Sequence, residues 1–165
     1  MEQIIYDYVV ANYKHAEKAF ERFGVSPKAS LSQGAMESDW GRSGIAIKAK
    51  NLFGMTAFGK PNEFWNGEYI TASTGLKFRK YTSVENSFMD FARLISTNYK
   101  AAASVSNDVA KYAKAIAYSP YISEVNGDNR PNYENGIIAR YNAIVTTFLK
   151  KKLTLPLLGI VPVVK

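Results

Sequence analysis

Apolar residues recur at Ile5, Val9, Tyr13, Ala16, Phe20 and Phe23, the rhythm of one helix face. Gly24 interrupts that run, so the pattern predicts a long amphipathic helix over Gln3 to Phe23. Ser26 followed by Pro27 is an N-cap with proline at the first helical position. It opens a second helix that carries Glu37 almost to its end, where Trp40 and Gly41 break it. Gln33, Glu37 and Trp40 share one face of that helix, while Leu31 and Ala35 fall on the far side and point into a core. Gly34, inside the helix, costs about 1 kcal/mol against alanine and so predicts a close approach there.

Ser43 to Lys50 forms a short helix in this reading, and Asn51 to Gly54 a turn. From Phe58 to Tyr81 the character changes. Gly59, Pro61, Asn62, Gly67 and Gly75 punctuate two short alternating runs, Glu68 to Thr71 and Leu76 to Tyr81, which read as a small hairpin with Trp65 just ahead of it. Thr82 and Glu85 have capping-box spacing and start a helix with Phe88, Phe91, Ala92 and Ile95 on one face. Asn107 caps the next, which contains Val109, Tyr112, Ala113, Ile116 and Ala117. After a polar loop, Ser119 to Arg130, Pro131 opens a last helix running through Ile137, Ile144 and Phe148. The expected organisation is one mainly α domain of the α+β class over residues 1–152, followed by an apolar tail, 153–165, that docks as a strand or serves as a linker or partner contact. A large helical lobe and a small β-hairpin lobe leave a groove between them, and long polysaccharides need such an open groove.

Composition narrows the chemistry. With 165 residues, 47% hydrophobic and 21% charged, the chain can bury a single core. Eleven Tyr, nine Phe and two Trp suit a cleft that stacks on sugar faces, and equally suit packing. The net charge of +7 favours an anionic partner. The charge is spread, with no basic run longer than Lys150 to Lys152, so nucleic acid is not the expected partner. Absence of Cys excludes disulfides, thiol catalysis and Cys-based metal sites. The NGDN stretch lacks the spacing and closing Glu of a calcium loop, and the lone His15 reads as structural, so no metal or cofactor is expected. No apolar run is long enough to span a bilayer, and MEQIIYDYVV has no signal-peptide features.

A carboxylate on a rigid helix, beside an indole and an amide at the rim of a cleft, can stay protonated near neutral pH. That is what a general acid for glycoside cleavage requires. A Glu one turn from a helix end is more often only a solvated surface residue.

Here the residues carry a resemblance. GAMESDWGRS resembles the ALESGWGxS signature of the peptidoglycan N-acetylglucosaminidases of glycoside hydrolase family 73, the flagellar and autolysin type. Asn51 to Met55 resembles the family's NLFGI/M block, and Phe78 to Phe91 resembles its FRxYxSxxxSxxDY block. Tyr121, followed by Pro131-Asn132-Tyr133, looks like a stretched version of YATDPxY. These blocks occur in order across roughly Tyr13 to Tyr141.

The resemblance implies a lysozyme-like fold and hydrolysis of the β-1,4 bond after N-acetylglucosamine in peptidoglycan glycan strands. It implies Glu37 as catalytic acid and Tyr121 as the cleft tyrosine, with Tyr118 the second match. Gln33, Trp40, Asn51, Phe53 and Trp65 are the expected substrate contacts. Many family members carry a second carboxylate in the hairpin after a WxG motif. Trp65-Asn66-Gly67 matches that motif, but Thr74-Gly75-Leu76 stands where the acid is expected, and Glu68 and Glu63 are nearby but out of register. Participation of the substrate's own acetamido group is therefore attractive. The alternatives are a lytic transglycosylase or N-acetylmuramidase on the same fold, or a non-catalytic wall-binding module. A monomer acting at the bacterial wall is expected, released as a phage lysin, carried by a virion or secretion machine, or derived from a precursor with a leader.

Overall fold

The computed structural model describes residues 1–126 and 128–159. Among these residues, seven α-helices and one two-stranded sheet follow in the order α1 (Glu2–Phe23), α2 (Pro27–Ser38), α3 (Gly44–Ala49), β1 (Tyr69–Thr71), β2 (Lys77–Arg79), α4 (Val84–Asn98), α5 (Lys100–Ser104), α6 (Val109–Ala117) and α7 (Arg130–Lys150). This is the expected large helical lobe with a small β hairpin.

Helix α2 is the axis of the molecule. It packs against α1, α6 and α7. Nine of its twelve residues are buried, although only Pro27, Ala29, Leu31 and Ala35 among them are apolar. Its small side chains let the neighbours come close. A Cβ on Gly34 would lie 2.8 Å from the Tyr8 hydroxyl and 3.2 Å from the Phe53 ring, which explains the tolerated helix-interior glycine. Tyr8 uses that hydroxyl to donate to the Leu31 carbonyl at 2.7 Å. Around this axis Phe53, Phe88, Phe91, Tyr112, Ile116, Ile137 and Ile144 close the core. Phe53 stacks on Phe91 at 3.9 Å between centroids and meets Phe88 edge-on.

Several caps differ from expectation. Ser83, not Thr82, caps α4 by accepting from the Asn86 amide, and Glu85 pairs outward with Lys18. Asp108, not Asn107, caps α6. Helix α7 begins at Arg130, one residue before the expected Pro131, with Asn129 as its cap. In the first two cases a neighbouring short polar side chain reaches the free amide instead. Helix α5, a run of small residues after Tyr99, was not expected at all.

The hairpin is tied down by charge. Tyr69 pairs with Arg79 and Thr71 with Lys77 across the antiparallel strands. Arg79 donates to the Thr56 and Phe58 carbonyls and forms an ion pair with fully buried Asp90 on α4 at 2.8 Å. Asp90 also accepts from Tyr81, Arg93 and Asn62. After α7 the chain turns back, and a 3-10 turn at Pro156–Leu158 buries Leu158, whose carbonyl accepts from the Tyr141 hydroxyl. Residues 160–165, the end of the expected tail, lie outside the described residues.

Candidate active site

Helix α2 ends at Ser38, because Asp39 and Trp40 both adopt left-handed backbone conformations (φ 49° and 59°). The Ser38 hydroxyl secures that end, donating to the Gly34 carbonyl and accepting from the Gly41 amide. Glu37 is thereby fixed in the last turn of a helix that is buried along most of its length. Trp40 leaves the face it was expected to share with Glu37. Its ring is buried edge-on against Tyr8, 5.5 Å between centroids. The indole neighbour predicted for the carboxylate is absent for this reason.

Phenols surround Glu37 instead. It lines a cavity of about 440 Å³ together with Phe53, Gly54, Phe58, Arg79, Tyr121 and Tyr133. The other carboxylate on that cavity is Asp128. Gly54, at φ 64°, leaves its missing Cβ position 3.4 Å from the Glu37 carboxyl, so the Asn51–Gly54 turn closes directly on the acid. Burial pushes the Glu37 carboxyl up, a hydrogen bond from Tyr133 pulls it back, and the charge of Asp128 raises it further; the result lies at about 7. A carboxyl poised there can give a proton and take it back near neutral pH.

Behind Glu37 lies a buried neutral network. Fully buried Gln33 accepts from the Tyr112 hydroxyl at 2.5 Å and donates to the Tyr133 hydroxyl at 2.9 Å. Its amide also acts on the Tyr121 phenol, pulling it down against the effect of burial. Burial and the nearby Glu37 carboxyl push the Tyr112, Tyr121 and Tyr133 phenols well up, so all three are neutral hydrogen donors. Tyr99 packs edge-on against Tyr121, 5.3 Å between centroids.

Of the sequence-predicted site residues, the structure brings together Glu37, Tyr121 and the edge of Phe53. Gln33 joins them from inside, as a buried support with no surface for a substrate. Asn51 is buried and ties the turn together through the Met55 and Arg79 carbonyls. Trp65 is buried under Arg79, whose guanidinium sits 4.1 Å from the ring. Tyr118 is exposed and lies outside the Glu37 cavity. Neither proposed hairpin carboxylate faces Glu37: Glu63 pairs with Arg22 on the surface, and exposed Glu68 engages Asn66.

Sequence reasoning missed Asp128, Tyr133, Tyr112 and the exposed rim residue Phe58. Tyr133 stood inside a quoted motif block, and Asp128 inside the polar loop weighed for calcium. Among the described residues no His, Cys, Asp and Glu side chains cluster as a metal site, and no helix is long and apolar enough to cross a membrane. A larger hollow of about 690 Å³ opens beside α6 and α7, where the one lining carboxylate, Asp108, is occupied as a helix cap.

Comparison with known proteins matches residues 13–145 to the glucosaminidase family, described as mannosyl-glycoprotein endo-beta-N-acetylglucosaminidase. Over 91 residues the chain is 36% identical to exo-glucosaminidase LytG of Bacillus subtilis (strain 168), a match spanning 48% of this chain and 30% of that protein. Over 107 residues it is 32% identical to the peptidoglycan hydrolase FlgJ of Pseudomonas aeruginosa, spanning 56% of this chain and 26% of FlgJ. The chain thus covers less than a third of the length of either relative. The catalytic domain of the autolysin Auto from Listeria monocytogenes shares the fold, with a TM-score of 0.67 at 19% identity over 87% of this chain and 86% of that domain.

Proposed function

Because the chain belongs to the glucosaminidase family, glycoside hydrolase family 73, we propose that it hydrolyses the β-1,4 bond after N-acetylglucosamine in peptidoglycan, acting at the bacterial wall. The names of its relatives, an exo-glucosaminidase and a peptidoglycan hydrolase, support the substrate. The observation that carries the reading is Glu37, a carboxyl pushed up to about 7 in an open cavity walled by aromatic and phenolic side chains.

Glu37 protonates the bridging oxygen as the bond to the anomeric carbon breaks. The substrate's acetamido carbonyl oxygen forms a new bond to that carbon. Glu37, now a carboxylate, takes a proton from water, whose oxygen displaces the acetamido group and restores it. Tyr121, on the same cavity, orients the acetamido group. Two displacements retain the configuration. Asp128 on the cavity favours a second reading, in which its carboxylate activates water directly and the product is inverted.

Digestion of purified peptidoglycan tests both. The expected product has a reducing N-acetylglucosamine end, released first as the β anomer by proton NMR. An α anomer transfers the water-activating role to Asp128. A 1,6-anhydro-muramic end identifies a transglycosylase, and intact walls leave only a binding module.

A further inference from the structure

We propose that Gln33 is a positioning residue whose buried amide dictates the direction in which the Tyr133 and Tyr121 hydroxyls aim their protons. Tyr133 is thereby turned toward Glu37, and Tyr121 toward a hydrogen-bond acceptor on the sugar. A primary amide has one acceptor atom and two N–H groups. The Gln33 oxygen is engaged by the Tyr112 hydroxyl, and its nitrogen donates to Tyr133. A phenol oxygen that already accepts an N–H keeps its own proton free to give away. Tyr133 spends that proton on the Glu37 carboxyl. Tyr121, whose phenol the same amide also pulls down, lines the cavity and keeps its proton for it.

The reversed amide would collect both phenolic protons and leave the ionised acid with no donor from this side. Burial makes the orientation consequential, because Gln33 and Tyr112 are fully enclosed and cannot turn to water for an unmet partner. An amide does not titrate, so the arrangement is the same before and after Glu37 loses its proton. Tyr112, read from the sequence only as a core residue of α6, gains a purpose: it pins the amide oxygen.

The groups facing Glu37 are Tyr133 and Arg140 on α7, Asp128 before it, Tyr112 on α6, Tyr121 after α6, and Arg79 across the cavity. None of the charged ones changes in the variants below. The role assigned to Tyr121 rests on the hydrolase reading; the role toward Glu37 is read without substrate.

The test is a carbon-13 NMR titration of the Glu37 carboxyl in the full chain, with thermal melts to verify folding. Gln33→Met is expected to raise the midpoint by roughly 0.5–1 in pH, since the Tyr133 hydroxyl loses the N–H that holds it against Glu37 and favours the ionised form less. Tyr133→Phe should raise it equally, and the double variant no further than either one. Tyr112→Phe, which removes a single oxygen, should move it the same way by less, and is decisive if Gln33→Met does not fold. In the pH profile of wall lysis, the alkaline limb should follow these midpoints. An unmoved midpoint in a folded Gln33→Met or Tyr112→Phe protein, or additive shifts in the double variant, overturns the proposal. Failure of the wild type to digest walls would refute the hydrolase reading while the titration still judges Gln33.

Discussion

Two buried polar networks flank the same cavity and are built from opposite materials. Beneath the hairpin, Arg79 and Arg93 surround fully buried Asp90, with Tyr81 and Asn62 completing its hydrogen bonds. Behind Glu37, an amide and three phenols make a network without a formal charge. The difference follows from what each carboxyl does. Asp90 only clamps the lobes, so full cationic pairing suits it. In the proposed reaction Glu37 must change its protonation during turnover. A guanidinium at hydrogen-bonding distance would hold it ionised and useless as an acid. Neutral donors moderate the effect of burial without abolishing it.

Breaking the ionic network should cost most. Asp90→Ala leaves two arginines without their buried partner and should destabilise the fold by about 3–5 kcal/mol, read by chemical denaturation. Stability changes below 1 kcal/mol would mean that the clamp is idle. Glu37→Gln should fold normally and lose at least about 100-fold in wall lysis, the usual scale of a general acid. Lysis near the wild-type rate would remove Glu37 from the chemistry.

The same variant reports on the neutral network through stability. A carboxyl raised to about 7 in the fold and ordinary in the unfolded chain favours the native state below about pH 4.5. That contribution is lost as pH climbs toward 7, where a buried charge must form. Glu37→Gln should therefore gain on the wild type by about 3 kcal/mol between pH 4.5 and pH 8. A gap independent of pH would show Glu37 to be ordinarily solvated. The smallest effect is expected at Phe58, 70% exposed on the rim with its carbonyl gripped by Arg79. Phe58→Ala should raise KM about three- to tenfold with little change in kcat, as an aromatic face is lost to the sugar.

Periodicity carried the fold well where a stripe of Ile, Phe and Tyr ran for three turns or more, as in α1, α4 and α7. Caps were legible in kind but slipped by a residue, because Thr82–Ser83 and Asn107–Asp108 each offer two competing oxygens. The site divided along a similar line. Glu37 and Gln33 sit four apart on one regular helix, and that relation was readable. Trp40 was misplaced because nothing in the pattern announces two left-handed residues after Ser38. Asp128, Tyr112 and Tyr133 arrive from elements 75 to 96 positions further on, and only the packing of α6 and α7 on α2 brings them to the acid.

Glu37 lies in the terminal turn of α2, and that turn contains no basic side chain. The aligned peptide dipoles leave about half a negative charge at this end of a helix. An oxocarbenium-like sugar carries positive charge at its ring. In the proposed reaction the backbone of α2 thus supplies a favourable electric field to the cationic stage of bond cleavage, independent of any side chain and unaffected by pH.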